Sequence, residues 1–464
     1  MGRDAAALVV LGGIALLGNG LKAVVTSTVL VSEAQFATFL GIAVERVSLL
    51  METIVAGMVV ALAVYPLFLH GYSVRRVAMS ACAVAAAAFA AFAAVTLAGA
   101  NPWQREIAAY VCLTLGAAAL VCLAPSAQAL VARWPAAEGR KVLTTLWTGA
   151  TPAGFLAAPQ LAKTFLPAFG LSAYFAAFAA LPLLLLALVA VVAAVLPAEG
   201  GRDRRTASLP VPVIAAFVGA VAAFELWSTL GSVVGYVAPA TLASLPLMVA
   251  ATVWLWRRAA PLPRETPVTP ATWPLLGALF VLQMPTTGFF EAAFLFDRGM
   301  SDAFVADRAT LYAAASVAGT FAAGLALHRR AGGTRLLASV WAIAAVGLAS
   351  FAAYPWIDDP AYYLWTAAVS GVGVGALTLF LCVAIVSDAP RVTIVAALPS
   401  VAIMIGTEFG LEILQLVFAA AQGAGLAARG TFRVLFAAQG ATALLVLPLL
   451  LAGARAGASV KADQ

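Results

Sequence analysis

Apolar positions in this chain run in unbroken stretches of about 20 residues, separated by short polar or Pro/Gly-containing segments, from one end to the other. A stretch of that length as a helix spans the hydrocarbon core of a bilayer, so the pattern predicts an all-α polytopic membrane protein. Fourteen spans are expected, at 5–30, 40–69, 77–99, 107–132, 142–166, 172–196, 210–231, 237–256, 273–296, 304–327, 336–354, 361–386, 392–420 and 431–453. The first begins near Ala5 and has no small-residue cleavage site followed by a soluble domain, so it is read as a retained helix.

An internal repeat organises these spans. The only two histidines, His70 and His328, occupy matching places in it. Glu45-Arg46-Val47-Ser48-Leu49, Val55-Ala56-Gly57, Leu69-His70 and Arg75-Arg76 are answered by Asp307-Arg308-Ala309-Thr310-Leu311, Val317-Ala318-Gly319 and Leu327-His328-Arg329-Arg330. Each copy is an acidic-Arg pair, an apolar helix-length stretch and a short basic loop. A repeat of membrane helices half a chain apart is the signature of a two-bundle transporter. Residues 1–196 and 273–464 are expected to form two six-helix bundles, the second with a short tail. Residues 197–272 supply linkers and an inserted two-helix hairpin without a counterpart in the repeat.

Composition agrees with the pattern: 64% of residues are hydrophobic and 10% charged. The net charge of +6 reflects topology. With the N-terminus inside, eighteen of the 26 basic residues fall in cytoplasmic segments, which orients fourteen spans with both termini in the cytoplasm. Nucleic-acid binding would need a clustered basic patch, and the basic residues are instead dispersed among the loops. Cys82, Cys112, Cys122 and Cys382 all fall in apolar runs without metal spacing and are read as buried thiols. No cofactor, metal cluster or phosphate-binding loop is expected, and an enzyme is not.

Two six-helix repeats with a basic loop between the second and third helix of each resemble the major facilitator superfamily. That family's loop follows Gly-x-x-x-Asp-Arg-x-Gly-Arg-Arg. Here the copies read Pro66-Leu67-Phe68-Leu69-His70-Gly71-Tyr72-Ser73-Val74-Arg75-Arg76 and Gly324-Leu325-Ala326-Leu327-His328-Arg329-Arg330-Ala331-Gly332-Gly333. The resemblance implies a cytoplasmic gate in which His70 and His328 replace the family's Asp; the alternative is that both simply sit in interfacial loops. The inserted hairpin resembles the fourteen-helix branch, many members of which are drug:proton antiporters. Gly149-Ala150-Thr151-Pro152-Ala153-Gly154 and Pro159 match the residue types of that branch's fifth-helix motif but not their order, and support a kinked helix.

Charge at bilayer depth costs at least ~2.5 kcal/mol and calls for a reason. Lys22, Glu52, Glu225, Glu291, Glu408 and Glu412 all fall within expected spans, with Asn19 one turn before Lys22. Glu225, in the hairpin, is read as structural. By the resemblance, the first and fifth helices of each bundle line a central cavity, so Glu291, Glu408 and Glu412 are candidates for carrying protons or pairing with a cationic solute. Lys22 is either a counter-ion to Glu52 or Glu291 or a contact for a substrate carboxylate. Gln283 and Gln415, with Thr286, Thr287, Gln160, Trp147, Phe289 and Phe290, are further candidate pocket residues. The pairs Glu45-Arg46 and Asp307-Arg308 at the outer helix ends are either a gate clamp or interfacial anchors.

The sequence therefore predicts a monomeric secondary active transporter in a bacterial inner membrane. It would move a small organic solute by alternating access, with proton-coupled efflux expected from the fourteen-helix resemblance. The alternatives are a carrier of an anionic or zwitterionic metabolite or metal chelator through Lys22, and a non-transporting assembly factor on the same fold.

Overall fold

A computed structural model describes residues 3–192, 211–259, 272–285, 289–329, 334–388 and 393–462. All regular structure among the described residues is helical. Ten described helices are long and apolar enough to cross a membrane, and Leu49–Tyr65, Pro239–Leu255 and Thr272–Gln283 are shorter apolar helical stretches.

In the first half, α1 (Arg3–Val31) leads through a short α2 (Glu33–Leu40) into α3 (Val44–Gly71) and α4 (Val74–Leu97). Helix α5 (Pro102–Ala108) continues through a π turn, Ala109–Leu113, into α6 (Thr114–Ala132). The helical run α7 (Ala137–Val192) is 56 residues long and breaks at Gly170, whose φ of 76° and ψ of 169° are open to glycine alone. Then come α8 (Val211–Val234), α9 (Pro239–Ala259), α10 (Thr272–Gln283), α11 (Phe289–Asp297) and α12 (Asp302–His328). Helix α13 (Thr334–Ala349) runs on into a 3₁₀ turn, Ser350–Trp356, before α14 (Pro360–Asp388), α15 (Thr393–Gly423) and α16 (Ala428–Ala462).

Local chemistry sets several of these starts. The Ser73 hydroxyl accepts from Arg76 N at 3.3 Å and opens α4. Asn101 and Gln104 form a reciprocal capping box with Pro102 in the first turn of α5. Ser301 does for α12 what Ser73 does for α4.

The chain divides into two compact units: Met1–Val221 with Arg391–Ala397, and Ala222–Pro390 with Leu398–Gln464. The division falls within α8, so most of α8 and all of α9 belong to the second unit.

Within the first unit α1 packs on α6 and α7, and α4 on the same two helices. The α1 contact is close because it is made of small residues. A Cβ on Gly154 would lie 2.6 Å from the Gly20 carbonyl oxygen, and one on Gly18 2.7 Å from the Ala127 Cβ. Phe89, Phe92, Phe175 and Phe178 form an edge-to-face and stacked aromatic core beside it.

Within the second unit α14 is the central rod. Gly371 and Gly375 bring it onto α12, and Gly373 brings it onto α13; a Cβ on Gly371 would lie 2.5 Å from the Tyr312 carbonyl oxygen. The glycine run Gly371-Val372-Gly373-Val374-Gly375 thus serves two helix contacts at once. Phe294, Tyr354, Tyr363 and Phe436 fill the space next to it.

The outward faces are apolar: Val9, Leu97, Val111, Leu183, Val191, Leu325 and Leu444 are all exposed. Exposed Trp103, Trp273 and Trp356 stand at helix ends, where the headgroup zone favours indoles.

Candidate functional site

Each unit encloses its own buried polar group. In the first, Lys22 and Asn19 lie on α1 at 3% exposure. The Gly20–Gly154 contact brings α1 close enough for Asn19 Nδ2 to donate to the Trp147 carbonyl at 2.7 Å, and for Thr151 Oγ1 to donate to the Asn19 carbonyl at 3.2 Å. Trp147 is locked in turn by donating from Nε1 to the Ala124 carbonyl at 2.9 Å. Asn19 Oδ1 is buried and unbonded. Among the described residues no carboxylate pairs with Lys22.

The expected Lys22–Glu52 pair is therefore not made. Glu52 is exposed on α3, on the side of Tyr110, whose hydroxyl donates to the Arg46 carbonyl at 3.0 Å. Apolar residues occur on both the lipid-facing and core-facing sides of a membrane helix, so burial on such a helix is not readable from periodicity.

In the second unit the centre is Glu291, at 1% exposure. It sits in the first turn of α11, just beyond the interruption between α10 and α11. Gln439 of α16, with no exposed surface, donates from Nε2 to Glu291 Oε1 at 2.5 Å and to the Pro285 carbonyl at 2.7 Å. Glu291 Oε2 and Gln439 Oε1 are buried without a partner. Nearby, Arg308 is buried at 5% exposure, donating from Nε and Nη2 to the Tyr354 hydroxyl at 3.1 and 2.9 Å. Its guanidinium also lies over the Phe351 and Tyr354 rings at 5.7 Å. Tyr312 and Tyr354 each interact with the charges of both Glu291 and Arg308, yet no ion pair joins the two among the described residues. Gln283 is engaged elsewhere, donating to Thr378 Oγ1 at 3.0 Å and tying α10 to α14.

A second polar group of this unit lies on α15. Glu412 is buried and Glu408, one turn earlier, is partly so. The Tyr236 hydroxyl, from the turn between α8 and α9, donates to Glu412 Oε2 and also meets Gln415 Oε1. Glu225 of α8 lies close enough to interact with the Glu412 charge.

The expected gate residues part ways. Arg46 pairs with Glu106 at 2.5 Å, and its side chain is 58% exposed. Arg308 is buried while Asp307 beside it is exposed, so the sequence symmetry of the two acid-Arg pairs does not extend to their surroundings. Arg75 donates to the Ala190 carbonyl at 3.1 Å, and Arg76 is exposed. His328 and Arg329 are exposed at the end of α12. His70 lies in the last turn of α3. The side chains of His70, Glu45 and Phe289, and all of Arg330, Thr286 and Thr287, lie outside the described residues.

Residue-by-residue reading of the sequence overlooked Gln439 and Tyr236. Gln439 stands alone in an apolar run, which is a readable signal. Tyr236 sits in a turn and carries none. Cys82, Cys122 and Cys382 are buried and Cys112 partly so, and all four are free thiols.

These features define an all-helical membrane protein with buried polar groups inside each unit. Its fold is that of the major facilitator superfamily. The chain is similar to the major facilitator proton:xylose symporter XylE bound to 6-bromo-6-deoxy-D-glucose, with a TM-score of 0.63 at 14% identity over 96% of this chain and 95% of that one. It is also similar to the human organic anion transporter MFSD10, with a TM-score of 0.65 at 16% identity over 97% and 100% of the two chains. A partially occluded, inward-open structure of the xylose transporter XylE from E. coli matches with a TM-score of 0.57 at 13% identity over 94% and 95%. No family model matches the sequence, and no curated sequence does.

Proposed function

We propose that this protein is a secondary active transporter that moves a small organic solute across a bacterial inner membrane by alternating access, coupled to protons and working in efflux. Its fourteen spans would form two six-helix bundles and an inserted hairpin, with both termini in the cytoplasm. The observation that carries the reading is Glu291. It is a carboxyl buried at the interruption of a membrane helix, with one oxygen held by Gln439 and the other unbonded. Interrupted membrane helices are where transporters bind coupling ions and solutes. An ionisable side chain inside a membrane helix is costly to keep, and its usual role is in an ion or solute pathway. The resemblance of the fold to a proton:xylose symporter and an organic anion transporter supports the transport class.

One observation favours a second substrate class. Lys22 is a buried cation with no carboxylate partner among the described residues, which suits an anionic or zwitterionic solute. Proton release from purified protein on adding lipophilic cations, then small organic acids, separates the two. Release with cations that disappears in Glu291→Gln supports cation efflux. Binding of acids alone, lost in Lys22→Ala, supports an anion carrier. Silence with every solute counts against transport.

A further inference from the structure

Helix α1 meets two partners on different sides of its axis. Gly18 faces α6, where an added Cβ would lie 2.7 Å from that of Ala127, while Asn19 and Gly20 face α7. Lys22 comes four residues after Gly18 and three after Asn19, so its side chain leaves α1 in the sector between α6 and α7. Trp147 bridges the same two helices by donating from α7 to the Ala124 carbonyl of α6. Asn19, Lys22 and Thr148 are buried here at 3%, 3% and 5% exposure.

The three side chains ask for different things. The Trp147 carbonyl can only accept, so the end of Asn19 that faces it is the amide nitrogen, and Oδ1 is the end left over. That oxygen is buried and unbonded, and it needs a donor. Thr151, one turn after Thr148, donates to the Asn19 carbonyl, which puts Thr148 on the side of α7 that faces α1. Thr148 Oγ1 is also buried and unbonded, whereas Thr145 of the same helix spends its hydroxyl on the Lys141 carbonyl. Lys22 has no carboxylate partner among the described residues, and it needs an anion. The carboxylates of α1, α6 and α7 are Asp4 and Glu138 alone. Asp4 lies about 27 Å back along α1, and Glu138 pairs with Lys141.

We propose that this sector of α1 is a subsite for a 2-hydroxycarboxylate: Lys22 and Thr148 hold the carboxylate, and Asn19 Oδ1 accepts from the hydroxyl on the neighbouring carbon. This rests on the anionic reading of Lys22 given above and narrows it. Asn19 and Lys22 are one turn apart, about 4.5 Å along the axis, a separation that the flexible lysine stem spans. Charge selects the hydroxy acid over the amino acid. A monoanion neutralises Lys22, whereas a zwitterion leaves the buried group with a net positive charge. An acid without the hydroxyl leaves Asn19 Oδ1 desolvated and unbonded, and so binds less well.

Calorimetric binding to the purified full-length protein in lipid nanodiscs tests this with matched probes on two skeletons. One set is phenylacetate, its 2-hydroxy derivative mandelate and its 2-amino derivative phenylglycine; the other is propanoate, 2-hydroxypropanoate and alanine. On at least one skeleton the hydroxy acid is expected to bind about tenfold more tightly than the other two. Lys22→Met is expected to weaken the hydroxy acid and the plain acid by tenfold or more. Asn19→Ala should make these two bind alike, and Thr148→Val should weaken both by the same factor. If Asn19→Ala does not fold, the probe comparison on the native protein and the Thr148→Val result carry the test. The proposal is overturned if the hydroxyl gains nothing on either skeleton, if the amino acid binds best, or if the hydroxy acid keeps its advantage in Asn19→Ala. Acids that bind equally with and without the hydroxyl, and are lost in Lys22→Met, would overturn this subsite and leave the anionic reading standing. Binding of no acid at all overturns both.

Discussion

Gln439 holds Glu291 and the Pro285 carbonyl with the same amide nitrogen. Its two hydrogens suffice for both bonds, so one side chain of α16 spans the interruption between α10 and α11. The arrangement satisfies a carbonyl that the broken helix leaves open, and it steers one carboxyl oxygen while leaving the other unbonded.

Replacing Gln439 by Leu strands two buried acceptors. Stability is expected to fall by about 1–3 kcal/mol, read as a lower unfolding midpoint in detergent. Gln439→Glu keeps the size and can donate only when protonated. Its stability should therefore be lost as pH rises, a dependence that Gln439→Leu would not show.

Removing the charge of Glu291 separates coupling from solute movement. Glu291→Gln is expected to reduce gradient-driven transport in proteoliposomes to background while leaving exchange between equal solute pools. The same outcome is expected for Glu412→Gln. Loss of exchange together with driven transport would assign these side chains to solute binding or folding.

Lys22 sets stability against function. A buried ammonium without a carboxylate partner among the described residues is costly, and an apolar side chain of similar length avoids that cost. Lys22→Met is expected to raise the unfolding midpoint, while weakening binding of any anionic solute by tenfold or more. A lowered midpoint would show that Lys22 has a structural counter-charge.

The glycine contacts of α14 predict a contrast. Gly371→Val places carbon against the Tyr312 carbonyl of α12, and should destabilise by about 1–3 kcal/mol through overpacking. Gly423→Ala, where an added Cβ meets nothing within 4 Å at a helical position, should hold stability or raise it by up to about 1 kcal/mol. Thermal unfolding of the two variants side by side checks both.

The membrane architecture was legible because the length of an apolar run is a physical requirement of the bilayer. The close contacts of α14 were legible as well, since Gly371, Gly373 and Gly375 have little other reason to interrupt an apolar helix. The environments of the charges were only partly so. Glu291 and Glu412 announced themselves as carboxyls in apolar runs, and both are buried. Glu52 looked the same in sequence and is exposed, because the identity of a helix face depends on its neighbours. Arg308 read as the twin of Arg46, but the Tyr354 hydroxyl, 46 residues along the chain, draws it inward. Tyr236 meets Glu412 across 176 residues, a separation at which no local pattern operates.

The break at Gly170 joins the two arms of α7 with no intervening loop. A loop would absorb a change of tilt in one arm before the other felt it. Here the linkage is one residue long, and only that residue's two torsions can give. A side chain at position 170 would meet no neighbour within 4 Å, yet it would have to hold a backbone conformation that only glycine takes without strain, so the crossing angle of the two arms is written into that one residue.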